Sequence, residues 1–135
     1  MTRPSTHTRP LSPHLGIYRF GPHMIASIVH RVTGDTLATL GALMLLGWLG
    51  AIAAGAAAYA KFTDLAWSLP GKVVLVGLSW IFFQHMFSGL RHLYLDTGAG
   101  YELKTNRAMA IATFVLSVIA TALLWGMIMM DGLNG

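Results

Sequence analysis

Three uncharged stretches constrain this chain more than any other feature of its sequence. They cover residues 36–60, 73–90 and 108–130, which are 25, 18 and 23 residues long. About 20 predominantly apolar residues are enough for one helix to cross the hydrocarbon core of a bilayer. Because lipid offers no hydrogen-bond partners, single spans of this length satisfy their backbone groups as helices. The chain is therefore predicted to be an all-α integral membrane protein, a bundle of three transmembrane helices.

The composition supports a surface that faces lipid. Hydrophobic residues make up 55% of the chain and charged residues only 10%, whereas a soluble domain usually has about 25% charged residues. The chain has no cysteine, which excludes disulfides and thiolate ligation of metals or clusters by this chain. The net charge of +4 is spread over the flanks of the spans, so no nucleic-acid partner is predicted.

The helices are expected to extend beyond their uncharged cores. We predict helices over about residues 22–60, 70–94 and 106–130, within a membrane domain of residues 22–135. Residues 1–21 contain three arginines and three prolines without a long apolar run. A secretory signal needs a continuous apolar core, which these residues lack. They are therefore predicted to form an arm on the cytoplasmic surface. The prolines oppose the amphipathic helix of a transit peptide, which favours a bacterial inner membrane over a mitochondrial one.

The lysines and arginines that flank the spans predict the orientation of the chain. Seven basic residues lie near the start of the first helix or around the second loop: Arg3, Arg9, Arg19, Arg31, Arg91, Lys104 and Arg107. The first loop has only two, Lys61 and Lys72. Flanks rich in Lys and Arg stay in the cytoplasm. The N-terminus is therefore predicted to be cytoplasmic and the C-terminus to lie across the membrane.

His85 lies inside the second uncharged stretch. Leu78, Phe82, His85, Gly89 and His92 are spaced by three and four residues, which places them on one stripe of a helix. An ionisable residue within a span normally faces the bundle interior and is a functional candidate. Gly89 would let a flat ring approach closely, and a neutral imidazole is a common ligand of haem iron. The alternative is a structural histidine that hydrogen-bonds to a neighbouring helix.

A second polar group lies near the start of the first helix. Ser27 and Arg31 share a stripe, His30 lies beside them, and all three are predicted at a depth similar to that of His85. Arg31 and His30 suit anionic propionates, and Ser27 and Arg31 could donate hydrogen bonds to a quinone carbonyl. Spacing alone does not choose between these ligands. Arg31 could also be an anchor that reaches the membrane surface, or be neutralised by Asp35 one turn later.

Three segments together resemble one protein family. They are "RPLSPHLGIY" at residues 9–18, "SIVHRVTG" at residues 27–34 and "HMFSGLRHLYLD" at residues 85–96. In order and spacing they resemble the cytochrome b membrane-anchor subunit of succinate dehydrogenase, respiratory complex II. The resemblance covers nearly the whole chain and includes the layout of three spans.

The resemblance implies a role for each matching residue. His85 would be an axial ligand of the iron of haem b, and Ser27 and Arg31 would line the ubiquinone pocket. His30 and Arg31 would approach the haem propionates, and Gly89 and His92 would belong to the haem pocket. No side chain would be catalytic by itself, because the family supplies binding and electrostatics while the cofactors supply the redox chemistry.

The resemblance also implies partners. A smaller membrane-anchor subunit would supply the second axial histidine and complete the bundle. A flavoprotein subunit would oxidise succinate, and an iron–sulfur subunit would pass the electrons to the quinone, so that the whole is a succinate:quinone oxidoreductase. One alternative is a haem-free structural anchor of a succinate dehydrogenase or fumarate reductase complex. Another is a small transporter or proton relay, although no internal repeat or broken helix typical of transporters is visible.

Overall fold

The structure, a computed structural model, describes residues 16–17 and 19–134, with side chains as far as residue 131. Of the predicted surface arm of residues 1–21, only residues 16–17 and 19–21 lie within the described part. Every regular element in the described part is a helix. Three helical spans are long and apolar enough to cross a membrane, at Pro22–Ala53, Leu69–Asp96 and Leu103–Asp131. The predicted all-α fold with three spans is confirmed.

Five α-helices and one π-helical segment make up the regular structure of the described residues. They are α1 (Pro22–Thr36), the π-helical segment (Leu37–Gly41), α2 (Ala42–Ala53), α3 (Ala56–Trp67), α4 (Leu69–Asp96) and α5 (Leu103–Asn134). The first span consists of α1, the π-helical segment and α2, which follow one another without a break in helical structure. Pro22 occupies the first turn of α1, where the missing N–H of proline costs no intrahelical hydrogen bond.

The first span ends earlier than the sequence predicted. We expected one helix to residue 60, but α2 ends at Ala53 and α3 begins at Ala56. Gly55 has a φ of 101°, a backbone conformation that glycine adopts readily and other residues rarely do. The chain reverses there, and α3 packs against α2 and α4. The region is rich in alanine, so its apolar pattern does not indicate that the helix ends near Gly55.

The second and third spans are slightly longer than predicted. α4 covers Leu69–Asp96 rather than residues 70–94, and α5 covers Leu103–Asn134 rather than residues 106–130. The hydroxyl of Ser68 caps α4 by accepting a hydrogen bond from the backbone N–H of Gly71, at 3.3 Å. Such a cap satisfies one of the N–H groups left unpaired at a helix start, so the helix begins one residue before the proline at position 70.

The bundle is formed by α1, α4 and α5, which all pack against one another. Its buried interior is small and mainly polar. The buried residues include three hydrophobic ones, Ala26, Leu95 and Ala110, and seven polar ones, Thr33, Gln84, Ser88, Arg91, Thr113, Ser117 and Thr121. Large apolar side chains instead face outward, as with Leu43, Leu46 and Leu123, each more than 60% exposed. This distribution is expected where lipid, rather than water, surrounds the helices.

Candidate functional site

Three histidines meet where α1 packs against α4. The rings of His30 and His85 are stacked, with centroids 4.2 Å apart and planes inclined by only 4°. The ring of His92 lies 4.9 Å from that of His30 and is tilted by 49°. The sequence predicted His30 and His85 at a similar depth on different helices, and the structure brings them into direct contact. We call these three residues the histidine cluster.

The ring of His85 is held by groups of α1. Its Nδ1 lies 3.1 Å from the backbone carbonyl oxygen of His30 and 3.3 Å from Oγ1 of Thr33. Because a carbonyl oxygen can only accept, Nδ1 must carry the proton and donate it. In the neutral ring Nε2 then has the free lone pair, and it has no hydrogen-bond partner among the described residues. An imidazole that donates through one nitrogen and leaves the other available is arranged as metal-ligating histidines are.

A glycine of α1 makes room for this ring. A Cβ atom at Gly34 would lie 2.8 Å from Cε1 of His85, closer than real Cβ atoms approach other atoms. At Gly89, by contrast, a Cβ would lie 3.8 Å from Cε1 of His30, an ordinary van der Waals contact. The sequence analysis emphasised Gly89 as the position of close approach. The contacts of the described chain assign that part to Gly34 instead, while a pocket role for Gly89 stays a prediction.

Ser27 and Arg31 lie one turn apart on α1, the helix that also carries His30. Ser27 is half-buried and Arg31 is exposed, and neither side chain makes a hydrogen bond or ion pair within the described part of the chain. In particular, Arg31 does not pair with Asp35, which is one of the two alternatives that the sequence leaves open; the other is an anchor that reaches the membrane surface. Most helical hydroxyls of this chain bond to a carbonyl of their own helix, as Thr36 does. Ser27 and Arg31 are thus both available to a ligand or a partner.

Arg91 faces a different helix from the histidine cluster. Although the sequence places it beside His92, Arg91 is buried, and its Nη2 donates a hydrogen bond to Oδ1 of Asn106 at the start of α5. Its Nε is buried and has no partner in the described part of the chain. Residues 91 and 92 therefore serve different interfaces, because neighbours on a helix point about 100° apart.

A buried polar network that was not predicted from the sequence lies between α4 and α5. Nε2 of Gln84 donates to Oγ1 of Thr113 at 3.3 Å, and Oγ of Ser117 donates to Oε1 of Gln84 at 2.8 Å. The spacing of Gln84, Ser88 and Arg91 by four and three residues was a signal for one buried polar stripe. Because α4 also carries the histidines, the sequence does not show that one polar face of α4 contacts α5 and the other contacts α1.

No group of three or more His, Cys, Asp or Glu side chains within the described residues is placed to hold a metal ion. The histidine cluster accordingly offers one suitably held ligand, Nε2 of His85. Nδ1 of His30 is buried without a hydrogen-bond partner in the described part, so it is a second nitrogen of the histidine cluster that no described residue satisfies. The fold and the site define an integral membrane helical protein with a histidine cluster between two of its spans.

Comparison with known proteins gives the family. A family model described as the transmembrane subunit of succinate dehydrogenase or fumarate reductase matches residues 5–124. The succinate dehydrogenase cytochrome b556 subunit of Paracoccus denitrificans is 36% identical over 115 residues, covering 82% of this chain and 88% of that protein. The cytochrome b556 subunit of Rickettsia felis is 34% identical, covering 87% of this chain and 90% of that protein.

A mitochondrial relative is also similar. The succinate dehydrogenase cytochrome b560 subunit of Bos taurus is 29% identical over 120 residues, which covers 87% of this chain and 70% of that protein. The chain belongs to the family of succinate dehydrogenase and fumarate reductase transmembrane subunits. The family resemblance drawn from the three sequence segments is confirmed.

Proposed function

We propose that this chain is the cytochrome b membrane-anchor subunit of a succinate:quinone oxidoreductase, that it binds haem b and that it forms part of the ubiquinone-reduction site. The observation that carries the proposal is the arrangement of His85. Its Nδ1 is 3.1 Å from the carbonyl oxygen of His30, which in the neutral ring leaves the lone pair on Nε2 inside a membrane span. Relatives named cytochrome b subunits match most of the chain, which supports the same reading.

The residues present fit a haem. His85 would be an axial ligand of the iron, and Nδ1 of His30, buried without a partner in the described part, would donate to a propionate when protonated. Arg31, which pairs with no described side chain, would neutralise a propionate by a charge-assisted hydrogen bond. Gly89 and His92 would border the pocket. Bound haem b would supply a one-electron redox centre beside the quinone.

The second axial ligand is proposed to come from another chain. The described part of this chain offers no further histidine arranged as His85 is, and the family resemblance implies that a second histidine comes from a partner subunit. A smaller membrane-anchor subunit would supply that histidine and cover outward faces of the bundle. The site would thus be completed only in the assembled complex.

The quinone is proposed to bind at Ser27 and Arg31. A hydroxyl and a guanidinium at neighbouring helical positions can both donate to quinone oxygens. Negative charge develops on those oxygens during reduction, and a positioned cation stabilises it without reorganisation of solvent. Arg31 would therefore contribute most to the rate, while Ser27 would orient the ring.

The remaining assignments concern assembly and location. A flavoprotein subunit would oxidise succinate, and an iron–sulfur subunit would deliver the electrons to the cytoplasmic side of this membrane subunit. We place the complex in the bacterial inner membrane with the N-terminus of this chain in the cytoplasm. The excess of Lys and Arg on that side supports the orientation, and the bacterial relatives support the compartment.

A spectrum of the purified complex tests the haem assignment. We expect a b-type signal in the dithionite-reduced minus oxidised difference spectrum, and its loss in a His85→Ala complex. His23→Ala, which removes a histidine of α1 outside the histidine cluster, should keep the signal. Absence of haem from the native complex would contradict the proposal and leave a structural anchor, and a signal unaffected by His85→Ala would exclude His85 as the ligand.

A further inference from the structure

Thr33 is a residue of α1 whose hydroxyl lies next to the ring of His85. It is 3% exposed, and its Oγ1 is 2.8 Å from the carbonyl oxygen of Val29 and 3.0 Å from that of His30. The same oxygen lies 3.3 Å from Nδ1 of His85, a residue 52 positions away in the chain. The hydroxyl therefore connects the backbone of one span to the imidazole of another.

The other threonines that follow on this span do not make such a contact. Thr36 bonds to the carbonyl of Val32, and Thr39 bonds to the carbonyls of Asp35 and Thr36. Back-bonding of this kind is ordinary for hydroxyls within helices. Since Thr33 bonds to its own helix in the same way, what distinguishes it is the additional contact with His85 and its burial.

The single proton of the Thr33 hydroxyl determines which group donates in its contact with Nδ1 of His85. A hydroxyl has one proton and two lone pairs, and the nearest acceptor for the proton of Thr33 is the carbonyl oxygen of Val29. A lone pair then remains for Nδ1–H of His85, which also points at the carbonyl oxygen of His30, 3.1 Å away. The N–H is thus shared between two acceptors on α1, and both favour the tautomer with an unprotonated Nε2.

We propose that Thr33 is a positioning residue, which fixes the tautomer and ring orientation of His85 and raises the basicity of its Nε2 toward haem iron. This inference rests on the proposed function and adds the group that prepares the ligand. Acceptors that hydrogen-bond to the distal nitrogen of a metal-ligating histidine orient it and make it a stronger donor. A stronger donor stabilises oxidised iron over reduced iron, so loss of the hydroxyl should raise the midpoint potential of the haem.

Gly34 confines the same ring from the neighbouring position. A Cβ there would lie 2.8 Å from Cε1 and 3.4 Å from Nδ1 of His85. The ring can therefore reach the carbonyl of His30 and the hydroxyl of Thr33 only because residue 34 has no side chain. Together, the two residues that end the segment "SIVHRVTG" determine where the His85 ring lies.

Redox titration of the purified complex tests the proposal. Thr33→Val removes the hydroxyl and keeps a β-branched shape, Thr33→Ser keeps the hydroxyl, and Thr36→Val removes a hydroxyl that bonds only to its own helix. Loss of an outer-shell hydrogen-bond partner typically lowers metal affinity by about 10–100-fold. Assigning the lower end of that loss to the oxidised iron alone, we expect Thr33→Val to shift the equilibrium toward reduced haem by about tenfold. For a one-electron couple this is an upward shift of about 59 mV. Thr33→Ser and Thr36→Val should keep the native potential.

Each outcome separates this inference from the haem assignment. A native complex without haem would contradict the proposed function itself. If the native complex contains haem, an unchanged potential in Thr33→Val, or an equal shift in Thr33→Ser and Thr33→Val, would overturn the positioning role alone. Thr33→Ala serves as a second hydroxyl-free variant if Thr33→Val does not assemble, and an unchanged potential there would overturn the role equally.

Discussion

Neighbouring residues on α4 resolve the cost of polarity in a membrane span in different ways. The amide of Gln84 is buried and bonds to two hydroxyls of α5, so its polar atoms are satisfied within the chain. His85, the next residue, turns toward α1 and satisfies only Nδ1. Polar groups in lipid are expensive and are usually paired or functional. Gln84 therefore stabilises the bundle interior, whereas His85 is a candidate ligand.

The proposed quinone contacts give a prediction at the scale of single residues. Ser27→Ala and Arg31→Ala should each lower quinone reductase activity by roughly 10–100-fold, because a hydrogen bond to a charged group is worth about 1.5–3 kcal/mol. Succinate oxidation with an artificial dye acceptor should persist, since the proposed flavoprotein subunit would oxidise succinate without using the quinone contacts of this chain. Both activities are measured on the same membrane preparation.

A matched control uses a hydroxyl that has no proposed part in quinone binding. Thr39→Val removes an exposed hydroxyl that bonds only to its own helix and should leave both activities at the native level. Equal loss of both activities in Ser27→Ala and Arg31→Ala would indicate failed assembly and would contradict a local role in quinone reduction.

The candidate residues differ in how far the sequence could identify them. Ser27, His30, Arg31, His85 and His92 were all selected from helical spacing and segment resemblance, because their types are unusual within or beside an apolar span. Thr33 and Gly34 were read as parts of a segment and given no role toward His85. Their importance depends on which atoms of another span face them, and spacing along one helix does not contain that information.

At the scale of elements, the turn between α3 and α4 depends on Gly71. A Cβ at this position would clash with the carbonyl oxygens of Leu65 and Ala66 at the end of α3. These are backbone atoms, which cannot move aside as the end of a flexible side chain can. The glycine therefore allows α3 to pack closely against the beginning of α4, where the cap of Ser68 also lies.

Substitution of two glycines of α4 tests this interpretation. Gly71→Ala should destabilise the protein by about 1–3 kcal/mol, the usual cost of overpacking a filled site. Gly77→Ala is the matched control, because a Cβ there meets no atom within 4 Å and alanine favours helix over glycine. Thermal unfolding of the purified complex should give a lower Tm for Gly71→Ala only. The same Tm in both variants would contradict a packing role for Gly71.

The helix boundaries show what a hydropathy pattern can predict. The starts and ends of α4 and α5 differ from the predicted ones by only one to four residues, since charged residues and proline mark the limits of an apolar span. The end of the first span was misjudged by seven residues. Nothing in the apolar pattern distinguishes Gly55 from Gly50 or Gly47; only its positive φ shows that the chain turns there.

At the scale of the whole molecule, the distribution of basic residues predicts the orientation of the chain in the membrane. The sequence contains no cysteine, so single cysteines can report the side of the membrane without background. We expect Thr97→Cys, in the second loop, to be protected from a membrane-impermeant maleimide in intact spheroplasts and labelled after lysis. Lys61→Cys, on α3, should be labelled in intact spheroplasts, because the two positions are predicted on opposite sides. Both side chains are exposed, and the reverse pattern would contradict a cytoplasmic N-terminus.

The surface of the bundle is consistent with a subunit of a membrane complex. Most large apolar side chains of the three spans are exposed, and the buried interior consists mainly of small and polar residues. Lipid can cover many of these faces, since it is as apolar as the side chains themselves. The histidine cluster, with a ligand nitrogen that meets no described partner, is the face where we place the smaller anchor subunit.

The sequence by itself determined that the helices are surrounded by lipid, how many spans there are and which residue types are available for chemistry. These depend on composition and on periodicity along one helix, which are local properties. The tertiary structure decided which polar residues face each other: Gln84 with Thr113 and Ser117, Arg91 with Asn106, and His85 with His30 and Thr33. A single helix has one periodicity but several faces, and only packing against specific neighbours determines which face stabilises the bundle and which can hold a ligand.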